Sequence, residues 1–271
     1  MKRRAHAYDG VQMDDDYEEY EEPYPTRSAA VRTVALVLIL AVGAAFAGAN
    51  LISVLRRNEA ITPGEALADP RGFKFLSLDP TTQAPVRYDP CSPLAYVVNP
   101  ANAPHGGLKD LHHAVELTAA ATGLQFTYEG ETDEPVDGTR PTYQPERYGT
   151  RWPPVLIGWM PHDSRIFEVD DVGVAGSAIV RNDAGRLVYV TGSIILNGAE
   201  QLANGFAPGR TWGKVVLHEL GHLVGLDHVA DPAQVMHPSL VSSPAVWGTG
   251  DEAGLRQLGH LAGCLEVPPV P

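Results

Sequence analysis

The sequence predicts an α/β fold in the α+β sense, and three observations carry that prediction. Short apolar strands alternate with helical periodicity between Leu94 and Tyr128. A second block pairs two strands through the turn sequence Asn182-Asp183-Ala184-Gly185, and a strongly apolar helix follows it. A further helical stretch closes the chain after residue 249. In order, Leu94-Ala95-Tyr96-Val97-Val98 reads as a strand ended by Asn99-Pro100. From Gly107 to Thr122 the period changes: Leu108, Leu111, Val115 and Thr118 to Ala119 share one face, and Gly123 closes the helix. Leu124-Gln125-Phe126-Thr127-Tyr128 alternates as a strand does. Gly130 to Pro154 is rich in Pro, Gly, Thr and charge, a long connection of the kind that borders clefts. Val155-Leu156-Ile157-Gly158-Trp159 reads as a buried strand, and Gly176–Val180 and Leu187–Leu196 as the paired strands. The next helix is expected from about Arg210 to Val224, with Val215, Val216, Leu220 and Leu223 toward the core. The last runs over Gly250–Leu258 with Asp251 near its start.

The flanks differ in composition. Residues 1–32 are read as a disordered acidic tail, since Asp14-Asp15-Asp16-Tyr17-Glu18-Glu19-Tyr20-Glu21-Glu22 has too little apolar surface to order itself. This tail supplies much of the formal net charge of −13. No basic patch with interleaved aromatics occurs, so no nucleic-acid partner is expected. Residues 33–55 carry no charge and are long enough to cross a bilayer as a helix. The expectation is a permanent membrane anchor; the alternative is a late signal peptide cut after Ala45-Phe46-Ala47, which would release a secreted form. Residues 56–89 read as a linker, 90–266 as the folded domain and 267–271 as a short tail. Cys91 and Cys264, the only two cysteines, bracket that domain and lack metal-ligand spacing. In an oxidising compartment they would form a disulfide tying its ends, which places the domain outside the cytoplasm. Nothing in the sequence sets an oligomeric state.

The run His218-Glu219-Leu220-Gly221-His222-Leu223-Val224-Gly225-Leu226-Asp227-His228 carries the chemistry. On a helix, His218 and His222 lie on one face a turn apart and can grip one metal ion. Glu219 projects beside that ion, where a general base is needed. Gly225 stops the helix, the chain folds back, and His228 supplies a third ligand, leaving the fourth position open as catalytic zinc sites do. One Zn2+ is therefore expected. Eight residues past His228 comes Val235-Met236-His237-Pro238, an apolar turn suited to form a floor under the metal. His105, His112, His113, His162, His237 and His260 are not expected to bind that zinc, and no second zinc is expected. Asp170-Asp171 could take calcium, but a solvated loop pair is the preferred reading.

These residues resemble the metzincin pattern H-E-x-x-H-x-x-G-x-x-H followed by a Met-turn, here at Met236, and within it the matrixins. The residue two past Met236 is Pro238, not tyrosine, which argues against a tyrosine-assisted mechanism. Val229 stands where vertebrate matrixins usually have serine, and Leu240 where they usually have tyrosine. Asp89-Pro90-Cys91-Ser92-Pro93 lacks the pattern by which matrixin pro-segments cover zinc with a thiolate. The resemblance implies a twisted, mostly parallel five-stranded sheet over about residues 90–266, with an active-site helix, a Met-turn and a C-terminal helix. It also implies an antiparallel edge strand, best placed at 174–180, that pairs with an extended protein or peptide substrate. Pro238, Leu240 and Lys214 are the candidate substrate-pocket residues; for Lys214 the preferred reading is snorkelling to solvent. The implied activity is a zinc endopeptidase, with Glu219 as general base. The alternative is a non-enzymatic zinc-containing ectodomain that binds a partner at the cell surface.

Overall fold

The computed structural model describes residues 72–163, 165–168, 170–239 and 245–271. In chain order the elements are β1 (Lys74–Phe75), β2 (Leu94–Asn99), α1 (Gly107–Thr122), β3 (Phe126–Glu131), α2 (Pro145–Tyr148) and β4 (Val155–Met160). Then come β5 (Gly173–Arg181), β6 (Leu187–Asn197), α3 (Trp212–Val224), β7 (Leu226–Asp227), α4 (Thr249–Leu258) and a 3-10 turn, His260–Ala262. Five strands form one sheet in the order β3-β2-β4-β6-β5. The β2–β3, β2–β4 and β4–β6 pairs are parallel, and β5 runs antiparallel to β6 at the sheet's end. The expected mostly parallel five-stranded sheet with one antiparallel edge strand is what the chain forms.

Side chains alternate across a strand, so each strand serves two layers. Ile194 and Leu196 of β6, with Tyr96, Val98, Val155, Ile157 and Trp159, face a core completed by Leu111 and Val115 of α1 and by Val215, Val216, Leu220 and Leu223 of α3. Ile195 of β6 points the other way, into a cluster with Ile166, Phe167 and Val174. Burial on both faces explains why β4 and β6 read as continuous apolar runs.

That second face is covered by the connection between β3 and β4. Its centre is Arg140, whose Nε and Nη2 donate to the two carboxylate oxygens of Glu134 at 2.7 and 3.2 Å. Arg140 also donates to Thr191 Oγ1 (3.0 Å), Gly192 O (3.0 Å) and Pro154 O (2.8 Å). Tyr148 Oη and Gln144 Nε2 complete the shell around Glu134, both at 2.6 Å. Both members of the ion pair are buried. The segment expected as a long connection bordering a cleft is therefore pinned onto β6 by a polar clasp.

Several boundaries shift. The stretch expected as a linker up to residue 89 belongs to the fold from residue 72 onward. Phe73, Val86 and Tyr88 are buried in the main core, and β1 pairs antiparallel with β7. These apolar residues are spaced irregularly, so no period marks them. The expected tail at 267–271 is docked too: Val267 packs beside Leu265, and Pro268 O accepts the Trp152 indole N–H at 2.8 Å. The first strand after α1 starts at Phe126 rather than Leu124, and the edge strand expected at 174–180 runs over Gly173–Arg181. Cys91 and Cys264 form the expected disulfide across 173 residues of sequence.

The membrane expectation is corrected. Among the described residues no helix is long and apolar enough to cross a bilayer. The longest, α1, has 16 residues, against the roughly 20 apolar ones a span requires. The assignment as a single-pass membrane protein with its catalytic part outside the cytoplasm is therefore withdrawn. Residues 1–32 and 33–55, on which the tail and anchor readings rested, lie outside the described residues.

Candidate metal centre

Helix α3 is buried along its whole length, from Trp212 to Val224. It ends at Gly225, where φ is 121°, a conformation that costs glycine little and a side-chain-bearing residue much. The Gly225 N–H satisfies the carbonyls of Gly221 and His222, both at 3.1 Å. The chain then reverses through β7, held by β1, and brings His228 back against the helix.

The three predicted ligands meet. His228 Nε2 lies 3.1 Å from His218 Nε2 and 3.1 Å from His222 Nε2. The other ring nitrogens define the tautomers. His218 Nδ1 is 2.8 Å from Val235 O, and His222 Nδ1 is 2.8 Å from Leu226 O. A carbonyl can only accept, so in both rings Nδ1 carries the proton and Nε2 presents its lone pair. Both lone pairs face His228 Nε2, which carries at most one proton, so at least one of them has no donor within the cluster. A tetrahedral zinc with bonds of about 2.0–2.1 Å spaces its nitrogen ligands about 3.3 Å apart, so the residues fit the ion. Burial, the chief cause, pushes the His218 imidazole down to about 3 and depresses His222 and His228 as well. For His218 and His228, repulsion from neighbouring imidazoles adds to it. Neutral imidazole is the form a metal requires.

Glu219 is buried, and its side chain lies against the first residue of β5. A Cβ at Gly173 would fall 2.9 Å from both Cγ and Oε1 of Glu219. The absent side chain is what lets the carboxylate lie flush with the edge strand. Met236 is buried under α3, where any side chain at Gly221 would collide with its sulfur. The Met-turn is fixed from below by Asp251 of α4, which accepts the backbone N–H groups of Val235, Met236 (3.4 Å) and Gly248 (3.0 Å). Gln234 Oε1 in turn accepts the Asp251 N–H at 3.0 Å. Burial pushes the Asp251 carboxyl up to about 6 despite those donors. A single residue thus links two partners: the Val235 N–H is held by Asp251, and its carbonyl orients His218.

The remaining candidates separate. Lys214 does not snorkel; it is 1% exposed, and its Nζ donates to Gly209 O at 2.7 Å. The helix is buried on every side here, so the stem has no path to solvent. Pro238 is exposed, and Leu240 lies outside the described residues. His112 is engaged by Tyr96 Oη at 2.9 Å, His113 by Glu116 at 3.2 Å and His162 by Asn197 at 3.3 Å. Asp171 Oδ2 accepts the Glu168 N–H at 2.9 Å, which makes it a loop-closing group. Sequence reasoning missed the roles of Gly173, Asp251 and Gln234. Only Asp251 left a trace, as an acid at a helix start.

Three histidines from one helix and its return loop, with a methionine turn beneath them, define the metzincin class of catalytic domain. Residues 165–258 match the family model of the matrixins (Peptidase_M10). That match, over part of the chain, supports a matrixin-like metzincin catalytic domain of the metallopeptidase class. No curated protein sequence matches the chain.

Proposed function

We propose that the protein is a zinc-dependent endopeptidase that uses His218, His222 and His228 as metal ligands and Glu219 as general base. The observation that carries this reading is the convergence of three imidazole Nε2 atoms within 4.8 Å of one another, one residue from a buried carboxylate. When bound, zinc would polarise the scissile carbonyl and acidify a water beside it. The chain's own residues do the rest. Val235 O and Leu226 O hold the first two ligand rings in the ligating tautomer. Glu219 takes a proton from the attacking water and returns it to the leaving amine, so no covalent enzyme intermediate forms.

β5 ends the sheet, and its first residue abuts Glu219, so an extended substrate paired along it would run past the base. Pro238 and Leu240, just beyond the Met-turn, are proposed as pocket walls. The test is cleavage of casein and a peptide library by the full chain, wild type beside Glu219→Ala, with zinc measured on both. Glu219→Ala should keep its zinc and lose about a thousandfold in turnover. Comparable turnover in both proteins would remove Glu219 from the mechanism.

A further inference from the structure

Two arginines are buried among the described residues, Arg87 and Arg140. Arg140 is neutralised by Glu134. Arg87 has no such partner: its Nη1 donates to Tyr88 O at 3.2 Å and its Nη2 to Ala262 O at 2.9 Å, both neutral carbonyls. Asp89 attracts it from nearby, but the two form no ion pair. The Asp89 oxygens instead accept the N–H groups of Cys91 (3.1 Å) and Leu265 (2.9 Å) and the Ser92 hydroxyl (2.7 Å). A second guanidinium, that of Arg186, is close enough to repel the first. Arg186 is exposed and forms no ion pair among the described residues.

Both arginines line one cavity of about 280 Å³. Pro85 and Leu261 give it apolar walls, Gln257 brings a side-chain amide, and no acidic side chain among the described residues lines it. Its walls come from three segments distant in sequence: the lead-in to β2, the residue before β6, and α4 with the 3-10 turn. Arg87 is fixed in place, since the Tyr189 N–H of β6 donates to its carbonyl at 3.0 Å. Burial first, and repulsion from Arg186 after it, lower the Arg87 pKa, while Asp89 acts against them. Each guanidinium carries five N–H donors, and Arg87 spends two on its carbonyls. Two like charges held against one cavity are balanced by a dianion; a single carboxylate would neutralise only one of them.

We propose that this cavity is a binding site for a tetrahedral dianion, phosphate or a phosphate monoester, held between Arg87 and Arg186. The ligand's oxygens accept the guanidinium N–H groups that the carbonyls leave over, and its two charges supply the missing counter-ion. The cavity is larger than one such ion, so the apolar walls leave room for the organic part of an ester. Binding would tie the three segments together. The site shares no lining residue with the metal cage and does not rest on the peptidase reading.

The experiment is a calorimetric titration of the full chain with inorganic phosphate, and separately with glycerol phosphate, at constant ionic strength. Phosphate should bind saturably with a Kd of about 1 mM or tighter and raise the Tm, as a ligand of the folded state must. Arg186→Gln should weaken binding about tenfold or more by removing charge-assisted hydrogen bonds. Arg186→Lys should restore part of it, and both variants should keep the wild-type zinc content. Arg186 is exposed, so these variants test the site without disturbing the core. Tighter binding of glycerol phosphate than of phosphate assigns the site to the end of a larger ligand; binding no tighter assigns it to the free anion. A titration that does not saturate overturns the proposal. Binding that Arg186→Gln leaves unchanged also overturns it and puts the anion elsewhere, as at the metal.

Discussion

The two faces of the central sheet are held by opposite means. On the inner face, α3 packs apolar residues against β4 and β6, and backbone carbonyls there aim two rings of the three-histidine cage. On the outer face, a connection poor in apolar residues is held by one buried guanidinium with five donated bonds and its carboxylate. The inner face gets its stability from burial and uses its hydrogen bonds to aim ligands. The outer face uses hydrogen bonds for stability itself. Substitutions on the two faces should therefore fail in different ways.

The largest expected stability effect is on the outer face. Arg140→Met leaves Glu134 buried without its cation and should cost about 3–5 kcal/mol in urea unfolding, with zinc affinity of the folded protein unchanged. Replacing Glu134 by Leu in the same protein should recover much of that loss; an undiminished loss would mean that the bonds to Thr191, Gly192 and Pro154 matter more than the ion pair. Next is the disulfide. Cys91→Ser with Cys264→Ser should cost about 2–5 kcal/mol, and equal unfolding midpoints with and without reductant would show that the bond contributes nothing.

The inner face should respond in metal affinity first. Asp251→Asn weakens the hold on the Val235 peptide, so it should cost about 1–3 kcal/mol of stability and about tenfold in zinc affinity. A stability loss with unaltered zinc affinity would break the proposed link from α4 to His218.

The smallest effect is a pH dependence on the outer face. Burial alone would raise the Glu134 carboxyl, but donors from Arg140, Tyr148 and Gln144 outweigh it and hold it below its ordinary 4.5. Its folded value is depressed, so its contribution is complete above about 4.5 and is lost as pH falls through the folded value. Urea midpoints measured downward from pH 6 should show this loss in wild type and little of it in Arg140→Met.

The same contrast explains what could be read from the sequence. The cage was legible because its ligands sit at local helical spacing and Gly225 marks the reversal. The disulfide was legible because only two cysteines exist and they bracket the domain. The Arg140–Glu134 clasp was not, since a charged pair inside a Pro- and Gly-rich stretch looks the same whether solvated or buried. The packing of Phe73, Val86 and Tyr88 escaped for want of a period. Lys214 was misread because lysine burial is rare, and only the packed helix shows that its stem has no exit. Leu124 joined a strand by pattern, but the β2–β3 register begins with Leu94 opposite Phe126.

The central claim is that the inner face is a metal centre, and zinc titration of the metal-stripped full chain tests it most directly. Wild type should bind one zinc and gain thermal stability on doing so, whereas His228→Ala should lose both the tight site and the gain. Equal zinc binding by the two proteins, or no tight binding by wild type, would contradict the account.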